Sequence, residues 1–166
     1  SREGVSPSPK NVEKLLQICV DSSADVRRFI GMAQFYRRFI KAFSSICAPL
    51  YECMKAAWAN RDVALVEACV AEIKLKLSTY PVLQHPDFNR RFFLATDGSK
   101  LGLGSVLHQK DDSGKLYVVA YASCGLLPSY KHFLGPQLEA AAACWGMVYF
   151  RHYLLGRQFT LLTDQI

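Results

Sequence analysis

The hydrophobic period of this chain changes once, near residue 84, so no single class of secondary structure accommodates both halves. Before that point apolar residues recur at helical spacing. Val12, Leu15, Leu16 and Cys19 follow the Pro7-Ser8-Pro9 turn and predict a short helix. Phe29, Met32, Ala33, Tyr36, Phe39 and Ile40 predict a longer one over 23–41, for which Asp21-Ser22-Ser23 offers N-caps. Pro49 suits the first turn of a helix over 49–56, and Val63, Val66, Val70, Ile73 and Leu77 place another over about 60–77. Beyond the stiff connection between Pro81 and Pro86, residues 91–97, 102–109, 115–122 and 158–163 read as strands. Asp111-Asp112-Ser113-Gly114 is a turn between the second and third of these. A helix runs from Pro136 to about Leu155 and is stopped by Gly156. The expected fold is therefore α+β: an all-helical unit over 1–83, then three hairpin-linked strands, a helix and a fourth strand over 84–166.

With 166 residues, 51% of them apolar, the chain can bury the cores of one or two small domains. The net charge of +6 is compatible with a phosphate-rich partner without identifying one. Residues 1–83 hold 12 basic and 8 acidic side chains, and residues 84–166 hold 8 and 6. Six cysteines, at 19, 47, 53, 69, 124 and 144, form no CxxC pair and lie in largely apolar stretches. They read as reduced and packed as small hydrophobes. No apolar run reaches transmembrane length and no leader begins the chain, so a soluble, intracellular protein is expected.

Three of the six acids in the second half stand at positions that can converge. Asp97 closes the run Phe92-Phe93-Leu94-Ala95-Thr96-Asp97, and Asp164 closes Phe159-Thr160-Leu161-Leu162-Thr163-Asp164. Glu139 sits early in the amphipathic stretch Gln137-Leu138-Glu139-Ala140-Ala141-Ala142. Carboxylates brought together repel, so such a cluster normally holds hard divalent cations. Cations bound there can clamp the attacking and leaving oxygens of a phosphodiester. The alternative is that Asp97 caps a turn, Glu139 caps its helix and Asp164 stands at a frayed end.

Arg91-Phe92-Phe93-Leu94-Ala95-Thr96-Asp97-Gly98-Ser99, Val119-Ala120-Tyr121-Ala122-Ser123, Phe150-Arg151-His152-Tyr153-Leu154-Leu155-Gly156-Arg157 and Leu161-Leu162-Thr163-Asp164 resemble the ribonuclease H domain of gypsy-type (metavirid) LTR retrotransposon polyproteins. Upstream, Gly4-Val5-Ser6-Pro7-Ser8-Pro9, Phe29-Ile30-Gly31, Tyr36-Arg37-Arg38-Phe39-Ile40 and Pro81-Val82-Leu83 resemble the thumb and connection region of the same reverse transcriptases. The resemblance implies a helical thumb/connection segment over 1–83 and an incomplete, three-layer ribonuclease H-like domain over 84–166. Asp97, Glu139 and Asp164 match the first three catalytic, metal-binding carboxylates of the family. They imply two Mg2+ or Mn2+ ions acting on the RNA strand of an RNA·DNA hybrid, in an intracellular retrotransposon particle, cytoplasmic or nuclear. The family fold continues with a helix, a fifth strand and a final helix carrying a fourth Asp, and a polymerase palm precedes it. A piece ending at Ile166 is expected to be weakly active or inert and to leave an unpaired sheet edge. Three positions depart from the pattern: Gly98 replaces a common alanine, Cys124-Gly125 a basic pair, and Gln137 a frequent acid.

On the helix expected over 23–41, Arg27, Gly31, Gln34, Arg38 and Lys41 fall near one line, opposite the apolar face. A basic stripe interrupted by glycine can approach a sugar–phosphate backbone, and the family's thumb uses helices of this kind to hold template–primer duplex. An ordinary solvated helix face is the alternative. Two functions remain open on the sequence: a fragment of a reverse transcriptase/ribonuclease H that binds and cleaves a hybrid, and a domesticated or residual non-catalytic module. The latter would bind nucleic acid, the rest of its polyprotein or a partner strand through the open sheet edge.

Overall fold

In the computed structural model, which describes residues 4–55, 58–79 and 83–163, four helices precede a mixed four-stranded sheet. Helices α1 (Pro9–Leu16), α2 (Ser23–Gln34), α3 (Phe43–Lys55) and α4 (Val63–Ser78) surround one core. Ser22 caps α2 by accepting the Asp25 N–H at 3.2 Å, and Asp62 caps α4 by accepting the Leu65 N–H at 3.1 Å. Phe29, Ile40, Leu50, Ile73 and Leu77 are fully buried between the helices. Each such side chain contributes about 1.5–3 kcal/mol through its removal from water.

The continuous helix expected over 23–41 is broken. α2 ends at Gln34, where the Phe35 and Tyr36 N–H groups turn to the carbonyls of Met32 and Ala33, three residues back. A single 3-10 turn, Arg37–Phe39, follows. Tyr36, Phe39, Ile40 and Phe43 enter the core, and Phe35 is left 79% exposed. Those four buried residues keep the spacing of an unbroken helix, which is why periodicity alone conceals the break. Ala42 then adopts φ 57°, a left-handed conformation that costs roughly 1 kcal/mol for a residue with a Cβ, and turns the chain into α3. α3 begins at Phe43 rather than at residue 49, so Pro49 lies inside it. Burial of Phe43, Cys47 and Leu50 along one face outweighs the hydrogen bond that proline removes.

The sheet consists of β1 (Phe92–Ser99), β2 (Gly102–Lys110), β3 (Leu116–Cys124) and β4 (Phe159–Leu162), in the order β3-β2-β1-β4. β1 and β2 form an antiparallel hairpin, β2 and β3 a second one with a bulge at Leu107/His108, and β4 runs parallel to β1. The turn between β2 and β3 is held by Asp111, whose Oδ1 accepts from Ser113 N, Ser113 Oγ and Lys115 N. Helix α5 (Gly135–Tyr149) connects β3 to β4 and lies on β1 and β2. It stops at Tyr149, and a short α6 (Arg151–Leu154) follows, so the helix expected to reach Leu155 is in two pieces. His152, on α6, is exposed. Phe92, Leu94, Leu107 and Phe150 form the second core. Fully buried Gln109 ties the incoming segment to the sheet: it donates to the carbonyls of Asp87 and Arg90 and accepts from Asp87 N and Tyr117 Oη.

The helices dock on the sheet through β3. Arg37 donates to the Ser123 carbonyl, Ser44 N donates to Ser123 Oγ at 2.9 Å, and Val118 and Tyr121 pack against the helical core. Of the cysteines, Cys47 and Cys69 are buried as expected, and burial raises the Cys47 thiol to about 12. Cys19 and Cys144 are instead exposed, because α1 ends before Cys19 and Cys144 lies on the outer side of α5. Among the described residues no helix is long and apolar enough to cross a membrane.

His108, at the β2 bulge, has a buried Nδ1 without a partner among the described residues. Burial pushes its imidazole below the ordinary value, the Val106 backbone opposes this, and Lys41 reinforces it. The folded state thus disfavours a proton that the unfolded chain accepts. Stability should be undiminished by this group above about pH 6.5 and fall as pH drops below it. The depressed carboxyls of Asp25, Asp87 and Asp111 act only in the acid range below about pH 4, so the windows separate. Urea unfolding between about pH 5 and pH 8 should show this slope, and His108→Phe should flatten it.

Candidate metal centre

Two glycines set how closely α5 approaches the sheet. A Cβ on Gly98 would collide with the carbonyl of Leu138, and one on Gly146 would meet Thr96 Cγ2 at 3.3 Å and Ser105 Cβ at 3.2 Å. Gly98 is therefore not a casual replacement for alanine: it lets the first turns of α5 lie against the end of β1. Glu139 is brought to β1 by that approach. Its Oε1 accepts the Gly98 N–H at 3.1 Å, while Oε2 is buried with no partner among the described residues. Asp97, the residue before Gly98, is exposed and pairs with Gly104 across the hairpin. The structure thus brings Glu139 to the backbone of the residue after Asp97, from an element about forty residues away. Asp164 lies outside the described residues. No three His, Cys, Asp or Glu side chains gather as a metal-binding group among the described ones.

The start of α5 is fixed by a residue to which the sequence assigned no role. Gln137 Oε1 accepts the Leu134 N–H at 2.8 Å, capping the helix from its third position, while Pro136 occupies its first turn. An amide does here what an acid in that position could do, which accounts for the departure at Gln137.

The basic stripe fares differently. Arg27, Gly31 and Gln34 are exposed on α2, but Arg38 and Lys41 lie beyond the break and are not on that helix. Arg38 stacks on Phe39, 5.6 Å from its ring centre, and lines a groove with Val5, Pro7 and Phe35. Lys41 lines a different cavity, of about 210 Å³, together with Asp97, Gly104 and Tyr121. The expected single line of five residues is thus divided, because the chain turns at Phe35. Gln34 donates to the Tyr51 hydroxyl at 2.7 Å. Arg37, which the sequence left without a role, anchors the helices to the sheet.

A family model described as the RNase H-like domain found in reverse transcriptase matches residues 66–161. The chain belongs to that family. Its relatives include the retrovirus-related Pol polyprotein from transposon 297 of Drosophila melanogaster, 33% identical over 165 residues, with 98% of this chain and 15% of the relative covered. The transposon 412 polyprotein of the same fly is 31% identical over 163 residues, covering 98% and 13%. The Tf2-3 transposon polyprotein of Schizosaccharomyces pombe is 30% identical over 167 residues, covering 99% and 12%. The chain therefore spans between 12% and 15% of the length of these relatives. The fold matches a solved structure of the foamy viral protease-reverse transcriptase in complex with RNA/DNA hybrid, with TM-score 0.80 at 18% identity over 100% of this chain and 23% of that one. A second, in complex with dsDNA, gives TM-score 0.79 at 18% identity over 96% and 33%. The α+β, ribonuclease H-like fold expected from the sequence is thereby shown.

Gly98→Ala should force α5 away from β1 and destabilise the protein by about 1–3 kcal/mol, read as a shift of the urea midpoint. Gln137→Ala should cost about 0.5–1 kcal/mol through loss of the cap.

Proposed function

We propose that this chain is part of a retrotransposon reverse transcriptase and contributes its hybrid-cleaving centre: it holds an RNA·DNA hybrid and hydrolyses the RNA strand with two divalent cations. The observation that carries this reading is the meeting of Glu139 with the end of β1 beside Asp97. A carboxylate whose second oxygen is buried and unpaired is costly, and a hard cation is the partner that would satisfy it. The residues present fit Mg2+ or Mn2+ through Asp97 and Glu139, with Asp164 as the third ligand. What supports Asp164 is the parallel register in which Ala95 pairs with Leu162, each two positions before its Asp in the sequence.

Bound at these carboxylates, the cations would supply positive charge to the attacking water and the leaving 3′ oxygen. The chain's own part is positional. The Gly98 N–H fixes Glu139 Oε1, the packing of α5 on β1 and β2 holds Glu139 against the end of β1, and Gln137 secures the helix start. Arg27, Gly31 and Gln34 of α2, with Arg38 and Lys41 beyond it, are the candidate contacts to hybrid or template–primer duplex. The bound RNA/DNA hybrid and dsDNA of the two structural neighbours support that partner class.

A second reading draws on β4, which stands at the edge of the sheet among the described residues with Leu161 and Leu162 more than a third exposed. An edge of this kind accepts a further strand, from the rest of a polyprotein or from a partner.

Cleavage of a labelled RNA·DNA hybrid by the chain, in Mg2+ and separately in Mn2+, distinguishes the two. Cleavage should be abolished by Asp97→Asn and by Glu139→Gln, with a loss of at least about a hundredfold in rate. Binding without cleavage would leave a duplex-holding module, and neither binding nor cleavage would favour the strand-pairing one.

A further inference from the structure

Where α3 faces the turn between β1 and β2 and the segment after β3, the structure opens a cleft of about 730 Å³ that the metal centre does not use. Four of its lining side chains are cationic, Arg37, Lys55, Lys100 and Lys131, and one is acidic, Glu52. Glu52 pairs with Lys55 at 2.7 Å on the exposed face of α3, leaving a surplus of positive charge. That pairing holds the Glu52 carboxyl below its ordinary range, and Lys131 from the opposite wall adds to the effect. The charges of the two walls therefore lie within each other's field. Lys100 Nζ donates to the carbonyls of Lys131 at 3.1 Å and Phe133 at 2.6 Å, fixing the segment that presents Lys131. Arg37 is anchored to the Ser123 carbonyl, and its Nε is buried with no partner among the described residues. Gly125, also in the lining, has open space around it, so a ligand can approach its backbone closely.

We propose that this cleft is a phosphodiester-backbone site, which grips the sugar–phosphate strand of a nucleic-acid duplex by charge between the helices and the sheet. It rests on the nucleic-acid reading above and adds a second contact region to it. Lysine ammonium groups on flexible stems suit phosphate oxygens, and the guanidinium fork of Arg37 is committed to the Ser123 carbonyl, so the grip is independent of sequence. Cys124 and Gly125 line the cleft without charge, and the charge comes instead from Lys131 a few residues on and from Arg37 and Lys55, remote in the chain.

The test is a titration of labelled RNA·DNA hybrid with the 166-residue chain, with Lys55→Ala/Lys131→Ala, and with Lys10→Ala/Lys14→Ala on α1, from about 50 to about 200 mM salt. All four lysines are exposed, so each double variant loses the same charge without loss of core. The cleft variant should bind at least about tenfold more weakly and lower the slope of log affinity against log salt by roughly 1.8, two phosphates' worth. The α1 variant should stay within about twofold of the unmutated chain. Equal weakening of both variants would reduce the effect to net charge and overturn the site. An unchanged cleft variant, with hybrid still bound by the unmutated chain, would overturn the site and leave the nucleic-acid reading standing. No binding by the unmutated chain would overturn both.

Discussion

Helix α5 lies against the end of β1 at a distance only glycine permits, and the candidate centre depends on that contact. Gly98 admits the Leu138 carbonyl where a Cβ would collide, and Gly146 does the same near Thr96 and Ser105. The approach lets a backbone N–H of β1 reach the Glu139 carboxylate. Helix and strand are rigid elements, so the acids they carry are held without an induced rearrangement. The unpaired Glu139 Oε2, without a partner among the described residues, is the local cost of this arrangement.

A second constraint joins the two cores. The Arg37 and Ser44 contacts to Ser123 tie the turn after α2 and the start of α3 to β3, and Val118 and Tyr121 reach from the sheet into the helical core. Because these contacts lie on β3, the helices cover one part of the sheet and leave clefts on either side of the junction. One cavity contains Asp97 and Lys41; the larger contains Arg37, Lys55, Lys100 and Lys131. The basic charge of the chain is thus gathered by packing rather than by any run in the sequence.

The legibility of this chain differed from element to element. Each strand was visible within two residues of its observed bounds, since hairpin turns such as Asp111–Gly114 and the alternation of β1 are local signals. The approach of Glu139 to the end of β1 was legible because an acid at a strand end and one on an early helical turn are placed to converge. The break after Gln34 was not legible. Tyr36, Phe39, Ile40 and Phe43 have helical spacing whether or not the helix continues, so the basic stripe drawn through Arg38 and Lys41 assumed a geometry the backbone does not adopt. Pro49 misled in the opposite direction, because a local preference for helix starts yielded to the burial of Phe43, Cys47 and Leu50.

By itself the sequence determined the class of each element, the change from helices to strands near residue 84, the family, and which carboxylates could meet. These follow from periodicity, turn chemistry and residue type, all of which act over a few neighbouring positions. Only the tertiary structure decided that Gly98 is a packing requirement, that Arg37 joins helices to sheet, and that Lys55 and Lys131 share a cleft. The physical reason is distance along the chain. Such contacts pair residues tens of positions apart, and no local pattern records which surfaces will face one another once both cores have closed.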